Sequence, residues 1–431
     1  MPYIHRKRNK SLGLLELIAI ALGGMIGGGI FSVLGISVSM VGVFTPIAFV
    51  IGGLLALLAA YSYVKLALYY RDEGATYSFY KKTFPKSRFA ASVVGWWVTF
   101  GYISTLALYA YTFASYAISG FEIADSEYHR KIFAGLIIFI FTLINVWSVK
   151  GMGKIEDIMV YTKLFILVII SFVFINNSNI SIPVLIEKNE DMNMLYIVIV
   201  ASLTFVAFEG FQLVIHAMNE MENPRTNIPR AIYSSIFITV AIYVIIAIGA
   251  IMAIPFENII ENQEYALASG AGEILGNIGT ELVIIGALLA TSSAISGTLF
   301  GASRLMSVIA ADGYFPKFLT IRKNNIPVYS IISMSVFAFC LVLLGDLKVI
   351  LEYGSVTFLL VSILMAFANF KIHKFTNSSL FLTFIALFGL IAGTVAILYY
   401  EATTEVEQVY YTGGLYVTLT LLAFVFSYKR T

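Results

Sequence analysis

The chain has 431 residues, of which 59% are hydrophobic and only 12% are charged. Soluble domains carry about twice that charged fraction, so the composition excludes a water-soluble fold and indicates that much of the apolar surface faces lipid. The single cysteine, Cys340, excludes an internal disulfide.

Twelve apolar segments are long enough to cross the hydrocarbon core of a bilayer, which takes about 20 residues. The first segment follows a basic tail and, at about 25 residues, is too long for the core of a secretory signal peptide. We therefore predict an all-α polytopic membrane protein with about twelve transmembrane helices. The predicted spans cover 14–38, 44–70, 90–118, 132–149, 155–176, 194–217, 228–254, 279–303, 327–345, 349–370, 379–400 and 409–428.

The positions of the basic residues test this span count independently. An even number of spans places both termini on one side, together with alternate connections near 71–89, 150–154, 218–227, 304–326 and 371–378. All but five of the 27 Lys and Arg residues lie on that side; the exceptions are Arg130, Lys131, Lys163, Lys188 and Lys348. Because Lys and Arg in short connections stay in the cytoplasm, we expect a multi-pass protein of the cell membrane with both termini cytoplasmic.

The first span contains five glycines between Gly23 and Gly29. Glycines at this density could serve close helix packing, but three in succession favour an unwound segment in mid-span. Unwinding would expose backbone N–H groups near Gly28 and Gly29, which can hold a carboxylate. It would also expose carbonyls near Met25 and Ile26, which can accept from an ammonium group.

The sixth span has a carboxylate beside a glycine at its centre, in Phe208-Glu209-Gly210. A charge at this depth is costly and is typical of a functional site. Interrupted spans at matching positions indicate two repeats of opposite membrane orientation with a ligand site between them. We therefore predict a tail at 1–13, a first repeat at 14–176, a second repeat at 194–370 and two further spans at 379–428.

Four stretches of the sequence resemble the signatures of one family of carriers. The glycine run is similar to G-x-x-I-G-x-G-I-F, and residues 73–80 are similar to a G-G-x-Y-x-Y stretch. Residues 208–232 resemble a glycine-broken helix followed by E-x-x-N-P-x-x-N-x-P-R-A-I, and residues 302–317 resemble R-x-x-x-x-x-x-x-D-G-x-x-P-x. In this order, the four stretches resemble the amino acid–polyamine–organocation family, and most closely its proton-coupled amino acid permeases.

The resemblance implies alternating-access transport of amino acids or related amines by a five-plus-five inverted repeat. Carried onto this sequence, it implies a carboxylate site at Gly27, Gly28 and Gly29. It implies an amine site at the Met25 and Ile26 carbonyls and at the break formed by Phe208, Glu209 and Gly210. Val206 stands where relatives often have a gating aromatic residue, and a valine lacks that ring.

Lys163 lies inside the fifth predicted span, about 12 Å from its inner end at helical rise. It could be a snorkelling lysine or part of a buried ion pair. It could equally gain and lose a proton during a transport cycle. The resemblance supports the second interpretation, because proton-coupled family members have a lysine at this spacing in place of a bound sodium ion.

Sodium coupling is the competing interpretation. Thr291, Ser292 and Ser293 in the eighth span supply hydroxyl oxygens for a possible cation site. Small hydroxyl residues are also common at helix contacts in membranes, and a nearby ammonium would repel sodium. We therefore favour H⁺ over Na⁺ as the coupling ion.

Glu209 departs from the family pattern, in which the residue before the glycine is usually small or apolar. It could contact a cationic amino acid, a polyamine or a monovalent cation, bind the coupling proton, or pair with Lys163. The sequence has no filter motif of an ion channel, no catalytic spacing of an enzyme and no soluble domain of a receptor. We expect no cofactor, no metal site and no nucleic-acid partner; the chain could be a monomer or a homodimer.

Overall fold

The computed structural model describes residues 12–147, 152–178, 193–323 and 326–428. Within these ranges the chain forms helices and two isolated β-bridges but no β-strand. The predicted all-α class is therefore confirmed. Part of the charge count falls outside the described residues, namely the tail up to residue 11 and Lys150, Lys188, Lys429 and Arg430.

Twelve helical segments correspond to the twelve predicted spans, which we number in chain order. They are Leu14–Met25 with Gly29–Val41 (span 1), Thr45–Tyr70 (2), Arg88–Ile118 (3), Glu127–Trp147 (4), Met152–Asn176 (5), Met194–Leu203 with the 3-10 turn Thr204–Phe208 and Leu213–His216 (6), Pro224–Ala253 (7), Asn277–Ala311 (8), Val328–Leu344 (9), Leu347–Lys371 (10), Leu380–Thr404 (11) and Val406–Tyr428 (12).

Ten helical stretches of the described chain are long and apolar enough to cross a membrane. One of them runs from Gly29 to Tyr70 and holds the second half of span 1 together with span 2. The first half of span 1 and span 9 are shorter apolar helices, Leu14–Met25 and Val328–Leu344. Short helices outside the spans are Ala75–Thr83, Phe256–Glu261, Ala266–Leu275 and His373–Thr376.

The main boundary error lies at the end of span 8. The prediction ended at residue 303, before the first charge, but the helix continues to Ala311. The partly exposed Arg304 does not interrupt the helix, because its guanidinium donates to the Phe300 carbonyl at 2.7 Å and lies over the Phe300 ring. A long basic side chain can thus extend a span beyond its apolar limit.

Span 3 lies at the centre of the bundle, where it packs against spans 4, 8, 10 and 12. The first half of span 1 packs against spans 7 and 8, and span 2 packs against spans 7 and 11. Spans 11 and 12 expose many large apolar side chains, including Phe381, Phe388 and Phe424, as expected of surfaces that face lipid. The division into two inverted repeats stays a prediction.

Candidate functional site

The glycine run interrupts span 1. The helix ends at Met25, residues 26–28 are not helical, and a second helix begins at Gly29. Little space surrounds these glycines: a Cβ on Gly27 would lie 2.6 Å from the Ala294 side chain, and one on Gly28 would lie 2.9 Å from the Tyr109 ring. The break therefore needs glycine at these positions for close packing.

Span 6 is interrupted at the same depth of the bundle. Its first helix ends at Leu203 and continues as a 3-10 turn to Phe208. Glu209 is extended, and Gly210 has a φ of +125°, a region that residues with a Cβ rarely adopt. The chain resumes helical structure only at Leu213.

The two breaks touch each other directly. A Cβ on Gly210 would lie 2.6 Å from the Gly24 carbonyl carbon and 2.7 Å from the Met25 amide nitrogen. The backbones of spans 1 and 6 are therefore in direct contact. Tyr243 of span 7 joins the two breaks, because its hydroxyl lies 2.9 Å from the Met25 carbonyl oxygen and 3.0 Å from that of Ala207. These contacts fix the crossing point of spans 1 and 6.

A cavity opens at this crossing between spans 1, 3, 6, 8 and 10. Its polar lining includes Tyr102, Tyr109, Glu209, Gln212 and Thr298. His216, Ala302 and Leu305 also line it, so the cavity extends from the breaks toward one end of the bundle. That end carries the connections near 71–87, 304–326 and 371–378 and is called the basic end below.

Glu209 is buried in the cavity wall with only 3% of its surface exposed. Gln212 Nε2 donates to Glu209 Oε2 at 2.6 Å, and Gln212 Oε1 accepts from the Gly210 amide at 3.2 Å. Gln212 thus holds the carboxylate in position. The other oxygen, Oε1, has no hydrogen-bond partner among the described residues, and Glu209 forms no ion pair with Lys163 there.

Lys163 is completely buried between spans 1, 5 and 8. Its ammonium donates to the Gly23 carbonyl oxygen at 3.0 Å and to Ser293 Oγ at 3.1 Å. The Ser293 hydroxyl in turn donates to the Ala290 carbonyl at 3.0 Å. A lysine side chain thus joins the first half of the broken span 1 to span 8.

The other residues of the possible cation site do not meet this ammonium. Thr291 Oγ1 donates to the Ala287 carbonyl within its own helix at 2.7 Å, and Ser292 is partly exposed. Only Ser293 of the three therefore contacts Lys163.

Comparison with known proteins identifies a family. A model of the amino acid permease family matches residues 12–426. This chain belongs to the amino acid permease family. The match covers both broken spans, the cavity and the position of Lys163.

Three relatives illustrate the range of similarity. An uncharacterized protein of Methanocaldococcus jannaschii is 34% identical to the permease over 320 residues, which cover 72% of the permease and 71% of that protein. The inner membrane transport protein YbaT of Escherichia coli is 28% identical over 319 residues, 72% of each chain. Chloroplastic cationic amino acid transporter 7 of Arabidopsis thaliana is 25% identical over 409 residues, 88% of the permease and 69% of the transporter.

The family and the named transporters among its relatives settle the broad class. The permease is a multi-pass membrane transporter and not an enzyme. Its substrate class is a small molecule.

The structure brings together only part of the predicted substrate site. Glu209 and Gly210 line the cavity. The other predicted residues are buried in the surrounding walls: Met25, Ile26, Gly27, Gly28, Gly29, Val206 and Phe208. The Tyr109 ring covers Gly27 and Gly28, while Val206 packs against Gly354 and the Phe208 ring packs against Tyr243.

Several cavity residues were not predicted from the sequence. Tyr109 and Thr105 share one face of span 3 with Tyr102, at helical spacing, and this pattern could have indicated them. Phe358 reaches the cavity from span 10 and meets the Tyr102 ring edge to face at 5.7 Å. Sequence spacing alone could not place Phe358, because it depends on how spans 3 and 10 pack.

The end of the permease opposite to the basic end is closed above the breaks. The Tyr116 hydroxyl donates to the Phe31 carbonyl at 3.0 Å, and the two rings meet edge to face at 5.5 Å. The chain at Gln263 rests on Gly35, where a Cβ would lie 2.1 Å from the Gln263 carbonyl oxygen. In the described part of the chain, none of these contacting residues lines the cavity, which extends from the breaks toward the basic end.

Proposed function

We propose that the permease carries amino acids or related amines across the cell membrane by alternating access, coupled to protons. The observation that carries the proposal is the Glu209 carboxylate, which is buried at the crossing of two broken spans and has one oxygen without a donor among the described residues. A buried acceptor without a donor is costly, so a ligand that supplies an N–H group gains from binding there.

The amine end of a substrate is assigned to Glu209. An ammonium group would satisfy Oε1 and neutralise the carboxylate, and charge-assisted hydrogen bonds of this kind are among the stronger ones. Gln212 supports this role because it fixes Oε2 and leaves Oε1 for the ligand. The relative from Arabidopsis is named for cationic amino acids, which agrees with a site that favours positive charge.

The carboxylate end of an amino acid is assigned to the backbone N–H groups at the start of the helix Gly29–Val41. The first N–H groups of a helix lack partners within it and attract anions. The Tyr109 ring packs over Gly27 and Gly28, so its side chain must rotate before a carboxylate reaches this backbone. Rotation of Tyr109 is therefore proposed as a step of substrate binding.

A second candidate substrate class lacks the carboxylate altogether. A polyamine or a monovalent cation would need Glu209 but not the covered backbone N–H groups. The tight contact of Tyr109 with the glycines favours this class, because it leaves Glu209 as the charged group in the cavity lining.

Lys163 is assigned to proton coupling. Its ammonium joins Gly23 of span 1 to Ser293 of span 8. Loss of the proton would weaken this contact between spans 1 and 8, which must separate during alternating access. A sodium ion at Ser293 would lie next to this ammonium and be repelled by it. We therefore favour H⁺ over Na⁺, with a sodium-coupled symporter as the alternative.

The orientation follows from the basic end. Because Lys and Arg cluster on the connections of this end, we assign it, with both termini, to the cytoplasm. The cavity then extends toward the cytoplasm, and we infer an inward-facing conformation.

Uptake into liposomes by the purified permease tests the substrate assignment. Leucine, arginine, putrescine and potassium should be compared with wild-type protein, Glu209→Gln and the matched control Glu257→Gln, which removes an exposed acid. We expect arginine or putrescine to be transported and Glu209→Gln to reduce that uptake at least about tenfold, the equivalent of one charge-assisted hydrogen bond. Equal uptake by Glu209→Gln and wild type would contradict the role of Glu209.

A further inference from the structure

A second group of buried acids lies outside the central cavity, where spans 10, 11 and 12 meet at the end opposite to the basic end. Glu352 of span 10 and Glu401 of span 11 are both fully buried. Glu352 lies five residues into its helix, about 8 Å from the first residue at helical rise. Neither acid lines the central cavity.

The cationic side chain of this group, Lys348, already has hydrogen-bond and ion-pair partners. Lys348 lies one helical turn before Glu352, where it donates to the Tyr400 hydroxyl at 2.8 Å and forms an ion pair with Glu405. Lys348 and Glu405 are 26% and 36% exposed, so water reaches the edge of the group. Among the described residues, no ion pair links Lys348 or another cation to Glu352 or Glu401.

The carboxyl oxygens of the two acids also lack donors. Neither oxygen of Glu352 has a hydrogen-bond partner among the described residues, and Glu401 Oε2 has none either. Glu401 Oε1 receives only a long contact of 3.5 Å from the Thr412 hydroxyl. An ionised carboxylate that is buried without donors is strongly unfavourable, so this site has to bind something positive.

We propose that Glu352 and Glu401 form a second proton-binding site, in which Glu352 carries the proton and Glu401 is its carboxylate neighbour. The proton comes from water at the edge of the group and binds one oxygen of Glu352, which becomes a neutral carboxylic acid. A proton needs a single acceptor oxygen, whereas a sodium or potassium ion needs a shell of about six. No cluster of three or more metal-ligating side chains occurs in the described part of the chain.

The charged and titratable groups around Glu352 come from three spans. Lys348 attracts a carboxylate, while the acids repel it and so favour the protonated form. The charged groups that act on Glu352 are Asp346 and Lys348 on span 10 and Glu401 and Glu405 at the end of span 11. The tyrosines around this group are Tyr353, Tyr400, Tyr411 and Tyr416.

The site is joined to the broken span 6 through one turn of helix. Ser355, three residues after Glu352, accepts from the Val206 amide at 3.2 Å and donates to the Leu203 carbonyl. A change of charge at Glu352 therefore acts on the helix that holds the 3-10 turn before Glu209. Proton binding at this end of the bundle is thus linked to the conformation of the central site.

Infrared spectroscopy of the purified permease tests the proposal, because protonated carboxyl groups have a carbonyl stretch that carboxylates lack. All variants should be made in a Glu209→Gln background, so that Glu209 contributes no such signal. We expect a protonated-carboxyl band at neutral pH that is lost in Glu352→Gln and retained in the control Glu257→Gln. A band that is the same with and without Glu352 would overturn the proposal.

Glu401→Gln provides a second test, which also serves if Glu352→Gln does not fold. Removal of the neighbouring charge is expected to lower the proton affinity of Glu352 several-fold and to shift its band. An unchanged band in a folded Glu401→Gln protein would contradict the pairing. A thermal shift on addition of sodium or potassium that disappears in Glu352→Gln would instead identify a metal-cation site and overturn the proton assignment.

Discussion

Tyr243 shows how much of the central site depends on a single side chain. Its hydroxyl lies within hydrogen-bonding distance of one carbonyl in each broken span, Met25 and Ala207, and the side chain is completely buried. Broken helices leave carbonyls without their usual partners, and burial removes water as a substitute. Tyr243 therefore stabilises both breaks from the neighbouring span.

Replacement of Tyr243 by phenylalanine removes the hydroxyl and keeps the ring. We expect the free energy of unfolding to fall by about 1–3 kcal/mol, because buried carbonyls lose a donor. Thermal unfolding in detergent measures this, with Tyr233→Phe as a partly exposed control in the same span. An unchanged melting temperature for Tyr243→Phe would mean that the two breaks are held by other contacts.

At the level of single residues, the sequence predicted the charged residues inside the spans but not the residues that contact them. Glu209 and Lys163 were predicted because a charge in an apolar span is conspicuous. Tyr109 and Gln212 were not, because a tyrosine or glutamine is ordinary until the fold brings it to a cavity. Glu352 and Glu401 were not predicted as site residues, because they lie near span ends, where acids usually face water.

At the level of helices, the crossing of spans 1 and 6 is a contact between two backbones. Gly24 and Gly210 allow it, since each lacks the Cβ that would separate the chains. The sequence predicted both breaks from their glycines and placed them at the same depth. It could not predict that Gly24 and Gly210 would touch, because this depends on the angle at which the two spans cross.

Substitution of alanine for Gly210 is expected to be among the most damaging changes in the chain. The added Cβ would overlap the Gly24 backbone, and alanine is strained at a φ of +125°. Together these effects should cost at least about 3 kcal/mol. We expect loss of monodisperse protein in size-exclusion chromatography.

Gly414→Ala is the matched control, because a Cβ there meets nothing within 4 Å. Alanine is also the better helix former, so this variant should be at least as stable as the wild type. Recovery of folded Gly210→Ala protein at the control's yield would refute the close crossing of the two backbones.

At the level of the whole molecule, the permease combines a tightly packed end with a cavity that extends toward the basic end. The predicted span count was confirmed in outline because apolar length and basic connections are direct physical requirements of a bilayer. The cavity could be expected from the unwound backbone, but its shape depends on the packing of five spans. The conformation that the molecule adopts leaves no signal in the sequence.

We propose that a proton gradient drives transport and that Lys163 carries the coupling. Proteoliposomes with an inward proton gradient and no sodium should accumulate the substrate found in the uptake screen. Lys163→Ala should abolish the dependence on the gradient, while Lys317→Ala, which removes an exposed lysine, should not.

The most direct measurement is uptake of that substrate at a fixed proton gradient, with and without sodium, for the wild type and Lys163→Ala. We predict gradient-driven accumulation by the wild type that is independent of sodium and absent in Lys163→Ala. Sodium-dependent accumulation that survives in Lys163→Ala would contradict the account.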